Sequence, residues 1–172
     1  RLAAPLLLEG LACLAYRGYD SAGIAVVDDS HIVNVRKMPG KLSTLVESLG
    51  GDLPQGTFGI GHTRWATHGS PNMVNAHPHL DCARDVVIVH NGIVENYREL
   101  KTTLMADGHG FSSETDSEVI AHLIETCLER GATFEEAVRE TAQRIRGAQA
   151  VVAMHVRNPE HLVAFRLGNA GG

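Results

Sequence analysis

The segment GHTRWATHGSPNMVNAHPH, residues 61–79, gathers one Arg, one Trp, two Thr, four His and two Asn into a stretch too polar for a core. Residues 57–63 alternate small and apolar side chains and read as a strand. Gly69, Ser70, Pro71 and Asn72 then carry turn chemistry that cannot continue a sheet. The expected picture is a strand delivering Arg64 and Trp65 to a loop, with Asn75, His77 and His79 on the return. A guanidinium presents a planar fork of donors that matches a carboxylate in two-point geometry, and an indole adds a flat wall with a single donor. The pair points to a small ligand bearing a carboxylate. Its structural alternative is an Arg paired with an Asp elsewhere in the fold, beside a Trp that merely packs.

Downstream, the apolar run 86–89 ends in His90, Asn91 and Gly92. An Asn amide and a Gly backbone N–H at the end of a buried strand could converge as an oxyanion hole, which stabilises charge developing on a carbonyl oxygen during acyl transfer. Asn-Gly is also the commonest hairpin turn, and that alternative stays open on these residues alone. Residues 94–106 read as a helix with Leu100 and Leu104 inward. The string FSSETDSE, residues 111–118, follows, and a helix over 118–129 places Val119, Leu123 and Ile124 toward the core. Asp116 has two readings here, as the cap of that helix or as the partner of an amine.

Elsewhere the patterns are plain. Leu6, Leu7, Leu11 and Leu14 recur at helical spacing over 5–15, with Cys13 expected to pack as a small apolar side chain. YRGYDSAG, residues 16–23, leads into a strand over 24–27. A turn at 28–30 returns as a strand over 31–36, and 40–49 resembles a short helix. Thr133 with Glu136 three residues on reads as a capping box opening a helix over 133–146. Residues 149–156 and 162–166 read as paired strands, and Cys127 is expected in the core.

The 172 residues suit one domain. Fifteen basic against twenty acidic residues give a net charge of −5 with no basic block, so neither nucleic acid nor a membrane surface is an expected partner. Three cysteines without CxxC pairing form neither a disulfide framework nor a zinc-finger spacing, and a reducing cytoplasm fits them. The alternation of His77 and His79, with His62, His68 and His90, offers a metal reading that lacks any visible outer shell, so no metal and no cofactor is expected. Arg1 in place of Met and the glycine-rich residues 168–172 lead us to expect a chain cut at both ends.

Four strings in this order, YRGYDSAG, GHTRWATHG with NAHPH, HNGIVENY and SETDSE, strongly resemble the glutaminase domain of the glutamine–fructose-6-phosphate aminotransferase (glucosamine-6-phosphate synthase) family, a class II glutamine amidotransferase. The similarity runs over about residues 5–166. Periodicity alone gives only an α+β class. The resemblance implies an N-terminal-nucleophile hydrolase fold, a four-layer αββα sandwich with two antiparallel sheets, and one partial type 2 amidotransferase domain over 1–172 without the sugar isomerase domain of the parent. It implies that Arg64 holds the glutamine α-carboxylate, that Asp116 holds the α-amino group, and that Asn91 and Gly92 form the oxyanion hole. Trp65, Thr67 and His68 would complete and cover the pocket, supported by Arg17 and His77.

The resemblance also implies a nucleophilic cysteine at the mature N-terminus, about nine residues upstream of Arg1, so Cys13, Cys82 and Cys127 are not expected to do the chemistry. The expected activity is hydrolysis of glutamine to supply ammonia for conversion of fructose 6-phosphate to glucosamine 6-phosphate, in a parent that is a cytoplasmic homo-oligomer. A noncatalytic glutamine-binding fragment is the alternative. An amidophosphoribosyltransferase glutaminase is a weaker one.

Overall fold

The structure is a computed structural model describing residues 1–18, 20–64, 72–159 and 161–170, with Arg17 described in its backbone only. The chain divides into two compact units, residues 1–78 with 156–160 and residues 79–155 with 161–172.

The first unit is a three-stranded antiparallel sheet of β1 (Ser21–Val27), β2 (Val33–Pro39) and β3 (Phe58–Arg64), in the order β2-β1-β3, with helices α1 (Ala3–Leu14) and α2 (Leu42–Leu49). β1 is central and buried at every position, which its small and β-branched sequence SAGIAVV permits. Glycines on β3 let α1 approach closely. A Cβ on Gly59 would stand 3.1 Å from Leu7 Cδ1, and one on Gly61 would stand 3.1 Å from Leu11 Cδ1. The helical face differs from expectation. Ala3, Ala4 and Leu11 are buried, whereas Leu6 and Leu14 are exposed, because the face carrying Ala4, Leu7 and Leu11 packs on the first-unit sheet. Cys13, expected to pack inward, is exposed on the same helix. α2 buries Leu45 and Leu49 and leaves Val46 exposed, and it ends at Gly50 with φ +53°.

The second unit is a four-stranded antiparallel sheet of β4 (His79–Leu80), β5 (Val86–Gly92), β6 (Gln149–His155) and β7 (Leu162–Leu167), paired in that order, with α3 (Tyr97–Ala106), α4 (Glu118–Glu129) and α5 (Phe134–Arg144). Its core gathers Val86 and Ile88 from β5, Leu100 and Leu104 from α3, Val119, Ile120, Leu123 and Ile124 from α4, and Val138 from α5. Cys127 is buried there, as expected. The Thr133–Glu136 capping box forms in both directions, satisfying two backbone donors at the start of α5. Among the described residues, two antiparallel sheets and five α-helices give the expected α+β class. Among the described residues, no helix is long and apolar enough to cross a membrane.

Candidate functional site

In the first unit, β3 ends at Arg64, which is paired in register with Ser21 and is 6 % exposed. The Arg64 carbonyl accepts from Asp20 N–H at 3.1 Å. Gly18 lies against that same carbonyl, where a Cβ would come within 2.8 Å, so the segment before β1 is fitted to the end of β3. Lys37 on β2 anchors the return of the 61–79 stretch: its ammonium donates to the carbonyls of Val74, Ala76 and Pro78 at 3.3, 2.7 and 3.2 Å. His77 is thereby buried, its ring centroid 4.5 Å from that of His62 on β3, two residues before Arg64. Trp65, Thr67 and His68 lie outside the described residues, as does the side chain of Arg17.

In the second unit, Asn91 and Gly92 are not a hairpin turn. They continue β5, pairing with Ala150 and Gln149 of β6, a strand more than fifty residues downstream. Gly92 has φ +139°, and a Cβ there would stand 2.2 Å from the Ala148 carbonyl oxygen, so only glycine fits. Asp116 does not cap α4. The N-cap is Ser117, without a side-chain cap bond, and Asp116 Oδ2 instead accepts from the backbone N–H of Val94 at 2.6 Å while buried. That bond ties Asp116 to the chain two residues beyond Gly92, so the structure brings Asn91, Gly92 and Asp116 together.

Side chains not expected to touch glutamine hold this arrangement. His90 is buried between Ser117 Oγ at 2.8 Å and Gln149 Oε1 at 2.6 Å. Gln149 spends its amide N–H groups on the carbonyls of Ile93 and Arg146, at 2.7 and 2.8 Å, which turns its oxygen toward His90. His90 therefore donates from Nε2, and Nδ1 accepts from Ser117. Burial pushes the His90 pKa down, against an opposing pull from the Asp116 charge and the Gln149 bond, and keeps the ring neutral.

The loop before α4 is held by Glu118. Its Oε1 accepts from Ser112 N–H and Oγ, both at 2.8 Å, and its Oε2 from Ser113 N–H at 2.7 Å and Ser113 Oγ. Ser113 Oγ lies 2.9 Å from Thr115 Oγ1, which reaches His79 Nε2 at 3.2 Å. Burial opposes the charge on Glu118, but the His122 ring 3.7 Å away and the hydrogen bonds from Ser113 and Ser112 outweigh it and hold the carboxyl well below the usual range. The only sequence signal for Ser117, Gln149 and Glu118 was polarity at the edge of an apolar run.

Among the described residues, the group with metal-ligating geometry is Cys82, His109, His122 and Glu125, in the second unit. None of His62, His77, His79 and His90 belongs to it.

Residues 62–168 match the family described as "Glutamine amidotransferase domain". The chain is 52 % identical over 167 residues to a glutamine–fructose-6-phosphate aminotransferase (isomerizing) of Pyrococcus horikoshii, covering 96 % of this chain and 28 % of that protein. It is 49 % identical over 167 residues to the enzyme so named in Escherichia coli K12, covering 96 % of this chain and 27 % of that one. The chain thus spans little more than a quarter of the length of these curated relatives. Among solved structures, a glutamine phosphoribosylpyrophosphate amidotransferase from B. subtilis, complexed with ADP and GMP, superposes with a TM-score of 0.74 at 27 % identity over 90 % of this chain and 33 % of its own. These likenesses carry the N-terminal-nucleophile amidotransferase fold onto the two sheets described above.

Proposed function

The chain belongs to the glutamine amidotransferase family, and we propose that it binds glutamine and forms the hydrolytic site that releases ammonia from the side-chain amide. The observation that carries this reading is the Asp116–Val94 bond, which fixes a buried carboxylate beside the Asn91-Gly92 end of β5. Asp116 Oδ2 is engaged by the Val94 N–H, and the remaining oxygen carries charge for an ammonium. Arg64 takes the α-carboxylate, so the two charges of an amino acid meet opposite partners.

The proposed chemistry is attack by a thiolate on the glutamine side-chain carbonyl carbon. The oxygen of the tetrahedral intermediate is held by the Asn91 amide and the Gly92 N–H. Collapse breaks the C–N bond and expels ammonia, and water then cleaves the thioester to give glutamate and the thiol. The thiol is that of an N-terminal cysteine with its own α-amine as base. Cys127 is unsuited to the role, because burial and the nearby Glu140 push its pKa up. The resemblance assigns Trp65, Thr67 and His68 to the glutamine pocket, with Arg17 and His77 as supporting residues. The acceptor is fructose 6-phosphate on a sugar isomerase domain of a larger, homo-oligomeric parent. Relatives near 50 % identity bear that enzyme's name, which favours it over a phosphoribosyl acceptor.

The test is Asn91→Ala in protein carrying the cysteine-led N-terminus. Loss of one oxyanion donor should lower kcat for glutamate release about 10²- to 10³-fold and leave glutamine affinity nearly unchanged. A kcat within a few-fold of the unsubstituted protein would remove Asn91 from the reaction.

A further inference from the structure

We propose that Cys82, His109, His122 and Glu125 form a binding site for a zinc-like divalent transition-metal ion. The proposal is independent of the glutamine reading. All four residues lie in the second unit. Cys82 sits in the 81–85 connection between β4 and β5, His109 follows α3, and His122 and Glu125 stand one turn apart on α4. Their ligating atoms all lie within 4.8 Å of one another.

The spacing matches a tetrahedral sphere. Metal–sulfur and metal–nitrogen distances of about 2.3 and 2.0–2.1 Å place sulfur and nitrogen roughly 3.5 Å apart at tetrahedral angles. Cys82 Sγ is 3.7 Å from His109 Nδ1 and 3.6 Å from His122 Nδ1. Glu125 Oε2 is 2.8 Å from His109 Nδ1 and 3.1 Å from His122 Nδ1, so on binding the carboxylate backs away by roughly half an ångström. One thiolate, two imidazoles and one carboxylate are the donor set of a borderline-soft divalent ion and not of calcium or magnesium.

Neighbouring groups orient three of the four ligands. Thr126 Oγ1 gives its one proton to the His122 carbonyl at 2.8 Å, so at 3.0 Å from His109 Nε2 it is the acceptor. With an ion bound, the His109 proton sits on Nε2 toward Thr126, and Nδ1, which donates to Glu125 Oε2 at 2.8 Å without the ion, turns its lone pair to the centre of the cluster. His122 Nδ1 faces Cys82 Sγ at 3.6 Å and Glu125 Oε2 at 3.1 Å, while its Nε2 lies 3.7 Å from Glu118 Oε1, beyond hydrogen-bond distance. Gly110 N–H donates to Cys82 Sγ at 3.3 Å. The N–H groups of Cys82 and Ala83 hold the two Glu125 oxygens at 3.3 and 3.2 Å. His122 and Glu125 are buried, whereas Cys82 is exposed and gives the ion an entry path.

On binding, the Cys82 thiol and the Nδ1–H groups that bridge His109 and His122 to Glu125 release their protons to solvent as the metal bonds form, and no redox partner is involved. Four protein ligands close the sphere, so the ion is structural. It would pin the β4–β5 connection and the segment after α3 to α4, the helix that follows Asp116.

The experiment is titration of the chelator-treated, untagged protein with Co²⁺, followed by absorption spectroscopy. Expected are a thiolate-to-cobalt charge-transfer band and the intense d–d bands of a four-coordinate ion, saturating at a single equivalent and displaced by Zn²⁺. Cys82→Ser should abolish the charge-transfer band. His109→Gln should weaken binding about 100-fold or more, and Thr126→Val, which touches no metal, about 10-fold. Cys13→Ser should leave the spectrum unchanged, and circular dichroism confirms that each variant is folded. No charge-transfer band in the folded, unsubstituted protein, or a band that survives Cys82→Ser, overturns the proposal. The first result would identify the cluster as a proton-bridged His–Glu network only.

Discussion

Replacing Glu118 by Gln tests the most heavily bonded carboxylate of the second unit. Glu118 is 2 % exposed and accepts four hydrogen bonds, two from backbone N–H groups and two from hydroxyls. An amide of the same shape keeps one carbonyl oxygen and turns the other acceptor into a donor. The hydroxyls of Ser112 and Ser113 can rotate to accept from the new NH₂, but their backbone N–H groups cannot. Whichever way the amide is oriented, one buried N–H faces another donor, a loss of about 1–3 kcal/mol. The surviving bonds also lose their charge assistance. Together these predict a destabilisation of about 3 kcal/mol, read as a fall in the urea midpoint at unchanged m-value. The pH dependence adds a signature. The folded-state pKa of Glu118 is depressed, so its contribution is fully present above the unfolded carboxylate pKa of about 4.3 and is lost as pH falls below it. The gap between the two proteins should therefore narrow by roughly 1.4 kcal/mol per pH unit below that point. A loss under about 0.5 kcal/mol at neutral pH, or a gap that stays constant down to pH 3, would refute the reasoning.

Two further predictions rest on the same unit. Gly92→Ala drives a Cβ into the Ala148 carbonyl at a φ of +139°, so stability should fall by on the order of 3 kcal/mol in chemical denaturation; a change below 1 kcal/mol would mean that the start of β6 yields freely. The depressed pKa of buried His90 means that the unfolded chain takes up the proton first as pH falls below about 6.5. Stability from this residue is complete above that pH and declines below it, by up to roughly 1.4 kcal/mol per pH unit; relative to His90→Gln, a wild-type protein that gains stability on acidification would contradict the assignment.

What the sequence disclosed, and what it hid, follows from the range of the interactions. The helix at Glu118–Glu129 and the Thr133–Glu136 capping box were legible because their signals, apolar spacing and a cap three residues before its partner, are local. Asn91-Gly92 alone read more readily as a turn, because the strand that keeps it extended arrives from residues 149–155. Asp116 looked like a helix cap because its partner, the Val94 N–H, is 22 residues away. The Cys82, His109, His122 and Glu125 cluster was missed for the same reason, although His122 and Glu125 at a three-residue spacing offered half of the signal. Cys13 was misplaced because helical spacing alone does not say which face of α1 meets the glycines of β3.

The measurement that bears most directly on the proposed function is glutamate release from glutamine by protein carrying the cysteine-led N-terminus, compared with Asp116→Asn in the same protein. We predict glutamine-dependent release that Asp116→Asn reduces at least about 100-fold in kcat/KM, since a buried charge partner of the substrate ammonium is removed. No release from the folded protein with its cysteine in place, or full kcat/KM in Asp116→Asn, would contradict the account.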